Sequence, residues 1–186
     1  MTIGLISDTH GFLDPAVSMH FVECDEIWHA GDIGPGVADQ LRSVKPVQAV
    51  FGNIDDAVTR NTLTEDLWLE REGLLICITH IAGSPPRLNP RVRKLVRDRQ
   101  PDILVCGHSH IVRANRIPYP AGSAKSSWLY LNPGAAGKQG FHHQRTLMRM
   151  ELTHGWVAAL EVIELGPRGA LPQQEGQDAE FPDGHP

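Results

Sequence analysis

Short apolar runs, each cut off by polar residues, set the rhythm of this chain. The first, at residues 2–7 (Thr-Ile-Gly-Leu-Ile-Ser), breaks into Asp8-Thr-His10-Gly11, which reads as a buried strand running into a loop. Residues 15–22 suit a helix with Pro15 near its first turn. A second strand at 26–29 (Glu-Ile-Trp-His) again breaks into a Gly-Asp loop. A helix over about 36–43 and a strand at 47–51 complete a βαβαβ opening, which implies a mostly parallel sheet.

The second half has a different pattern. Residues 67–72 and 74–79 flank Gly73 and predict a hairpin. Asn89 followed by Pro90 is a helix start, a capping side chain and then proline in the first turn; this helix runs to about Arg99 and stops before Pro101. Residues 103–106 form a further strand that ends in Gly-His-Ser-His. Residues 128–131, 145–152 and 156–163 predict three closing strands, the last two joined by a turn at His154-Gly155. The sum is an α/β opening followed by an antiparallel second half, accommodated by two sheets packed face to face with helices outside. No internal repeat is present.

Composition narrows the function classes. With 186 residues the chain suits one domain with a substantial core. Its 41% hydrophobic and 21% charged residues are ordinary for a globular protein, and a net charge of −5 gives no reason to expect nucleic-acid binding as its main business. From Gly166 the sequence becomes Pro-, Gly-, Gln- and acid-rich. Arg168 stands there against Glu175, Asp178, Glu180 and Asp183, so this stretch carries most of the net negative charge. Residues 166–186 are therefore expected to be a disordered acidic tail behind a domain at 1–165. Cys24, Cys77 and Cys106 are far apart, and Cys77 and Cys106 lie in apolar runs, so they read as buried thiols. Without a Cys-x-x-Cys pair, a structural zinc site is not expected. The N-terminus opens directly on a strand-like run, and no apolar run approaches the roughly 18 residues that span a bilayer. The expected address is the cytoplasm, with no membrane partner.

The chemistry lies at the ends of the apolar runs. Asp8-x-His10 follows the first, Gly31-Asp32 the second, Gly52-Asn53 the third, His80 the fifth and Gly107-His108-x-His110 the sixth. Sites in open α/β sheets form beyond the carboxyl ends of the strands, so residues distant in sequence can meet there. Carboxylate, imidazole and amide oxygen without thiolate suit hard or borderline divalent metals such as Mn²⁺, Fe²⁺ or Zn²⁺. Seven ligands are too many for one ordinary metal and about right for two, with a carboxylate between them. The glycines before Asp32, Asn53 and His108 fit close backbone approach.

Together these motifs resemble those of the calcineurin-like metallophosphoesterases, and the short length, with Asn132-Pro133-Gly134 near the end of the domain, resembles their small bacterial and archaeal phosphodiesterase branch. The resemblance spans residues 1 to about 165 and implies a four-layer α/β/β/α sandwich of two mixed β-sheets flanked by helices. It implies one metal on Asp8, His10, Asp32 and His110 and a second on Asp32, Asn53, His80 and His108. Asp32 would bridge, and a bridging hydroxide would attack phosphorus in line. Asp32, Asn53 and His80 are the catalytic candidates, Mn²⁺ the favoured ion, with Fe²⁺, Zn²⁺ or Ni²⁺ as alternatives. The implied substrate is a small phosphodiester, the alternatives being a phosphate monoester or a non-catalytic scaffold. Two departures stand out. Many members carry His immediately after the motif Asn, where this chain has Ile54, and many read His-Gly-His where it has His80-Ile81-Ala82. A missing general acid typically costs about 10²–10⁴-fold.

Other polar residues are weaker candidates. His29 reads as a packed core histidine and His20 as structural or exposed. His142 and His143 could replace the missing acid. Asp55 and Asp56 could orient the Asn53 loop, Asn132 could stand behind the ligands, and Arg87, Arg91 and Lys138 could meet substrate phosphate. Oligomeric state is left open between a monomer and a homo-oligomer.

Overall fold

The structure, a computed structural model, describes residues 1–169. Along the chain run β1 (Thr2–Ile6), α1 (Ala16–Phe21), β2 (Glu26–His29), α2 (Val37–Val44), β3 (Val47–Ala49), α3 (Ala57–Thr62), β4 (Asp66–Arg71) and β5 (Leu74–Thr79). A short pair, β6 (Gly83–Ser84) and β7 (Arg87–Leu88), precedes α4 (Pro90–Arg99), β8 (Ile103–Val105), β9 (Arg113–Pro118), β10 (Ser127–Asn132), β11 (Gln144–Thr153) and β12 (Trp156–Pro167). Asn89 caps α4 through a bond from the Val92 amide, as the Asn-Pro start predicts.

Two five-stranded sheets form, in the orders β12-β11-β1-β2-β3 and β4-β5-β8-β10-β9. Alternating side chains on their facing surfaces fill the space between them. Ile3, Leu5, Trp28 and Met148 from the first sheet meet Ile76, Ile78, Ile103, Val105, Leu129 and Leu131 from the second. The opposite faces carry the helices. Val17 and Phe21 of α1 and Val37 and Leu41 of α2 pack on Ile6, Ile27 and Leu147. Val92 and Val96 of α4 pack on Cys77, Leu104, Trp128 and Tyr130. The layers are thus helix, sheet, sheet, helix, the expected sandwich of two mixed sheets. All three cysteines are buried and free, and burial pushes the Cys77 and Cys106 thiols up to about 12.

The second half departs from the antiparallel reading. β8 pairs in parallel with β5, because α4 carries the chain back across the outer face, and in parallel with β10, which the chain reaches through the edge strand β9. β11 then leaves this sheet and pairs with β1, so the closing strands divide between the two sheets. Four elements carried no periodic signal: α3, the two-residue strands β6 and β7, and β9. α3 buries none of its side chains, and β9 is a largely exposed edge strand of sequence Arg-Ala-Asn-Arg-Ile-Pro. The last strand continues past residue 165: Gly166 and Pro167 pair with Arg145 and Gln144. The remainder of the expected tail, residues 170–186, lies outside the described residues. Among the described residues, no helix is long and apolar enough to cross a membrane.

Candidate metal centre

Parallel pairing aligns the strand ends that carry the candidate ligands. Ile6 lies beside His29, and His29 beside Ala49, so the loops bearing Asp8, Asp32 and Asn53 leave the first sheet together. In the second sheet Ile78 lies beside Val105 and Val105 beside Leu131, aligning the loops of His80, His108 and Asn132. Backbone bonds stitch these loops to one another. The amides of Asp8 and His10 donate to the carbonyls of Gly31 and Asp32 at 3.0 Å each, and that of Gly107 donates to His80 at 3.1 Å.

All seven predicted ligands converge there. Ligand atoms of Asp8, His10 and His110 lie within 4.8 Å of one another, as do those of Asp32, His80 and His108. In the first group His110 Nε2 stands 3.2 Å from Asp8 Oδ1 and 3.4 Å from His10 Nε2. In the second His80 Nε2 stands 3.2 Å from Asp32 Oδ2 and 3.1 Å from Asn53 Oδ1, which brings Asn53 into the group. The rings of His80 and His108 meet edge to face at 5.2 Å.

Hydrogen bonds from behind aim these side chains. His80 Nδ1 donates to the Ala30 carbonyl at 2.7 Å, which leaves the Nε2 lone pair for the centre. Asp8 accepts from the His108 amide, and its Oδ2 lies 2.7 Å from the Ser7 hydroxyl. Asp32 Oδ1 accepts from the Ile54 amide at 3.0 Å. Five of the seven ligands (Asp8, His10, Asp32, His108 and His110) adopt positive φ between 49° and 67°. Such backbone costs on the order of 1–3 kcal/mol per residue, and it concentrates where the surrounding structure imposes it for function. Gly31 is required by close approach, since a Cβ there would lie 2.6 Å from His80 Nδ1.

Charge couples the side chains of the two groups. Burial opposes protonation of His80, yet its hydrogen bond to Asp32 and the nearby carboxylates raise its pKa overall. Burial likewise opposes ionisation of Asp32, but the bond and charge of His80 outweigh it and hold the carboxyl below its usual range. His10 and His108 are pushed down by burial, and so favour the neutral form that binds metal.

The structure sorts the remaining candidates. His29 is fully buried; its Nδ1 accepts from the Gly31 amide and its Nε2 bonds Thr9 Oγ1, so it is a core residue, pushed down to about 4 by burial. His20 is a half-buried residue in the last turn of α1. Asp55 takes the amides of Ile33, Gly34 and Gly52 at 2.7–2.9 Å, tying the Asp32 loop to the Asn53 loop, while Asp56 caps α3. Asn132 bonds the Gly107 carbonyl, Ser109 and the Gly134 amide behind His108. His142 packs edge to face on His110 at 5.2 Å, but its Nε2 donates to Gly137 and its Nδ1 is buried without a partner. His143 is exposed. Arg87 lies on exposed β7, and Lys138 sits over the Phe12 ring at 4.2 Å. Arg91 is engaged by Asp66, Glu65 and Thr79. Sequence reasoning passed over Ser7, which touches Asp8, and Arg60, which bonds the backbone carbonyls of Asn53 and Asp55. Nothing in their sequence context marked either residue.

The donor set fits a pair of divalent cations. Imidazole nitrogens and carboxylate oxygens turned on one another at 3.2–3.4 Å repel unless a proton or a cation lies between them, and His10 Nδ1 is buried with no partner. Residues 1–155 match the family model of the calcineurin-like phosphoesterase superfamily domain. No curated protein matches the chain by sequence. Among solved structures, an archaeal phosphodiesterase is similar with a TM-score of 0.70 at 18% identity, over 89% of this chain and 100% of that one. Vps29 from Entamoeba histolytica complexed with Zn²⁺ is similar with a TM-score of 0.66 at 18% identity, over 90% and 99%. A conserved Streptococcus pneumoniae protein described as a predicted phosphoesterase follows with a TM-score of 0.57 at 20% identity, over 88% and 97%. At these identities the likenesses speak for the fold alone.

Proposed function

Because the chain belongs to the calcineurin-like phosphoesterase superfamily, we propose that it is a cytoplasmic, dinuclear, metal-dependent phosphodiesterase acting on a small diester. The observation that carries this reading is completeness: two ligand groups stand side by side and none of the seven expected side chains is missing. Asp8, His10, Asp32 and His110 would hold one ion, and Asp32, Asn53, His80 and His108 the other, with Asp32 shared. Bound divalent ions would supply Lewis acidity and a water acidified to near neutrality. Mn²⁺ suits this donor set, as do Fe²⁺, Zn²⁺ and Ni²⁺.

The chain's own groups bear on which leaving groups can depart. The Asp32 carboxyl, held below its usual range, is ionised for binding. Ile54, half-exposed beside Asn53, carries no proton for a leaving group. Expulsion without that proton favours substrates whose leaving oxygen is a weak base, and the rate falls steeply as its basicity rises.

A scaffold is the second reading, and a specific feature favours it. The residues directly after Asn53, His80 and His110 are exposed isoleucines: Ile54, Ile81 and Ile111. An apolar rim of this kind suits a protein partner as well as a substrate. The test is to load metal-stripped protein with each divalent ion and compare bis-p-nitrophenyl phosphate with p-nitrophenyl phosphate. Faster diester cleavage supports the proposal, and faster monoester cleavage replaces it with a phosphatase. A folded protein that binds two ions and turns over neither substrate is the scaffold.

A further inference from the structure

Beside the metal centre lies a cleft of about 200 Å³ that shares Asn53 and His80 with it. Phe51 and Ile81 form apolar walls, and Arg60 and Arg91 bring guanidinium groups to its edge. The two arginines differ in a way that matters. Arg91 is neutralised by Asp66 and Glu65. Arg60 bonds only the backbone carbonyls of Asp55 and Asn53, lies 5.5 Å above the Phe51 ring, and has no carboxylate partner among the described residues. The cleft therefore joins an aromatic face, an aliphatic wall and an uncompensated cation at the second ligand group.

Resting on the diesterase reading, we propose that this cleft seats an aromatic substituent that stays on phosphorus, while Arg60 meets an anionic oxygen of the same phosphodiester. Size supports a single ring system. A cavity of about 150 Å³ accommodates benzene, whereas drug-sized ligands occupy roughly 300–1,000 Å³. Chemistry supports it too. A planar ring packs against Phe51 and Ile81 beside the Arg60 guanidinium, and a diester keeps one negative charge for that guanidinium. A purely aliphatic substituent would use the walls without the aromatic face. A monoester would bring no second substituent.

The test compares diesters that share one leaving group, so that only the retained substituent differs: bis-p-nitrophenyl phosphate, methyl p-nitrophenyl phosphate and thymidine p-nitrophenyl phosphate. Stacking on an aromatic side chain is worth about 1–3 kcal/mol, so the Mn²⁺-loaded enzyme should favour the aryl over the methyl diester by roughly 5- to 150-fold in kcat/KM. Phe51→Leu should remove most of that ratio, and Arg60→Gln should lower both rates together, because it meets the oxygen they have in common. A Phe51-dependent preference for the thymidine ester alone would overturn the proposal in favour of a nucleobase held one sugar away from phosphorus. Equal rates for all three diesters in the wild type, or a ratio that survives Phe51→Leu in a variant with an unchanged melting temperature, would overturn the proposal. Should no diester be cleaved, the diesterase reading fails by itself, and calorimetric binding of phenyl phosphate against methyl phosphate then decides the seat. Tighter binding of the phenyl compound that is lost in Phe51→Leu supports it, and equal affinities refute it.

Discussion

A methyl group added at Gly52 would lie 2.0 Å from Asp32 Oδ1 and 2.3 Å from the Asp32 amide nitrogen. Gly52→Ala should therefore displace Asp32 and cost about 1–3 kcal/mol in overpacking, read as a lower urea midpoint together with weakened Mn²⁺ binding. The glycine was visible in the sequence as the partner of Asn53; that it clears space for Asp32 was not, because the contact joins two loops. His29 shows a second residue-scale effect. Its imidazole titrates near 6.5 in an unfolded chain and at about 4 in the fold, where burial excludes the charge. Between those values the unfolded chain holds a proton that the folded one lacks. His29 thus contributes stability that is complete above pH 6.5 and lost as pH falls toward 4, on the order of 3 kcal/mol in all. Urea unfolding of metal-free protein at several pH values should show a shallower acid-side slope for His29→Gln than for the wild type. Identical slopes would mean that His29 does not stay neutral in the fold.

At the scale of elements, the strands of the opening and the helix at residues 90–99 were legible because apolar runs and an Asn-Pro start mark them directly. α3 and β9 were not. The residues of α3 (Ala-Val-Thr-Arg-Asn-Thr) include poor helix formers and bury nothing, so its start depends on the cap from Asp56. β9 takes its form from pairing with β10, the next strand along the chain, while its own mostly exposed residues show no apolar alternation that would reveal it. Asp55, just before α3, does more than the sequence suggests. Its carboxylate collects three backbone amides from two loops. Asp55→Ala leaves those amides without a partner in a buried setting and should cost at least about 3 kcal/mol, measured by urea unfolding. Metal affinity should fall with it, since the Asp32 and Asn53 loops lose their tie.

Across the whole molecule, the order of the ligands along the chain was readable, whereas the division of strands between two sheets was not. Each motif ends an apolar run, so each could be assigned to a strand end. Which strands pair depends on crossovers such as α4 and on ties like the buried Asp14–Arg145 ion pair. Arg145 spans 2.6 Å to Asp14 and also bonds the carbonyls of Leu165 and Pro167. That anchor holds β12 in register to Pro167, two residues past the boundary that composition alone indicates. The ligand groups meet only because both sheets present their carboxyl ends at one edge of the sandwich, and Asp32 is the residue assigned to both ions. The most direct measurement is therefore a Mn²⁺ titration of metal-stripped wild type and Asp32→Asn, following bound metal and bis-p-nitrophenyl phosphate cleavage together. The account predicts that the wild type takes up two equivalents, with turnover rising as the second binds, and that Asp32→Asn stays folded but loses the second equivalent and at least about 10²-fold in rate. Full activity with one equivalent bound, or an Asp32→Asn variant that matches the wild type, would contradict it.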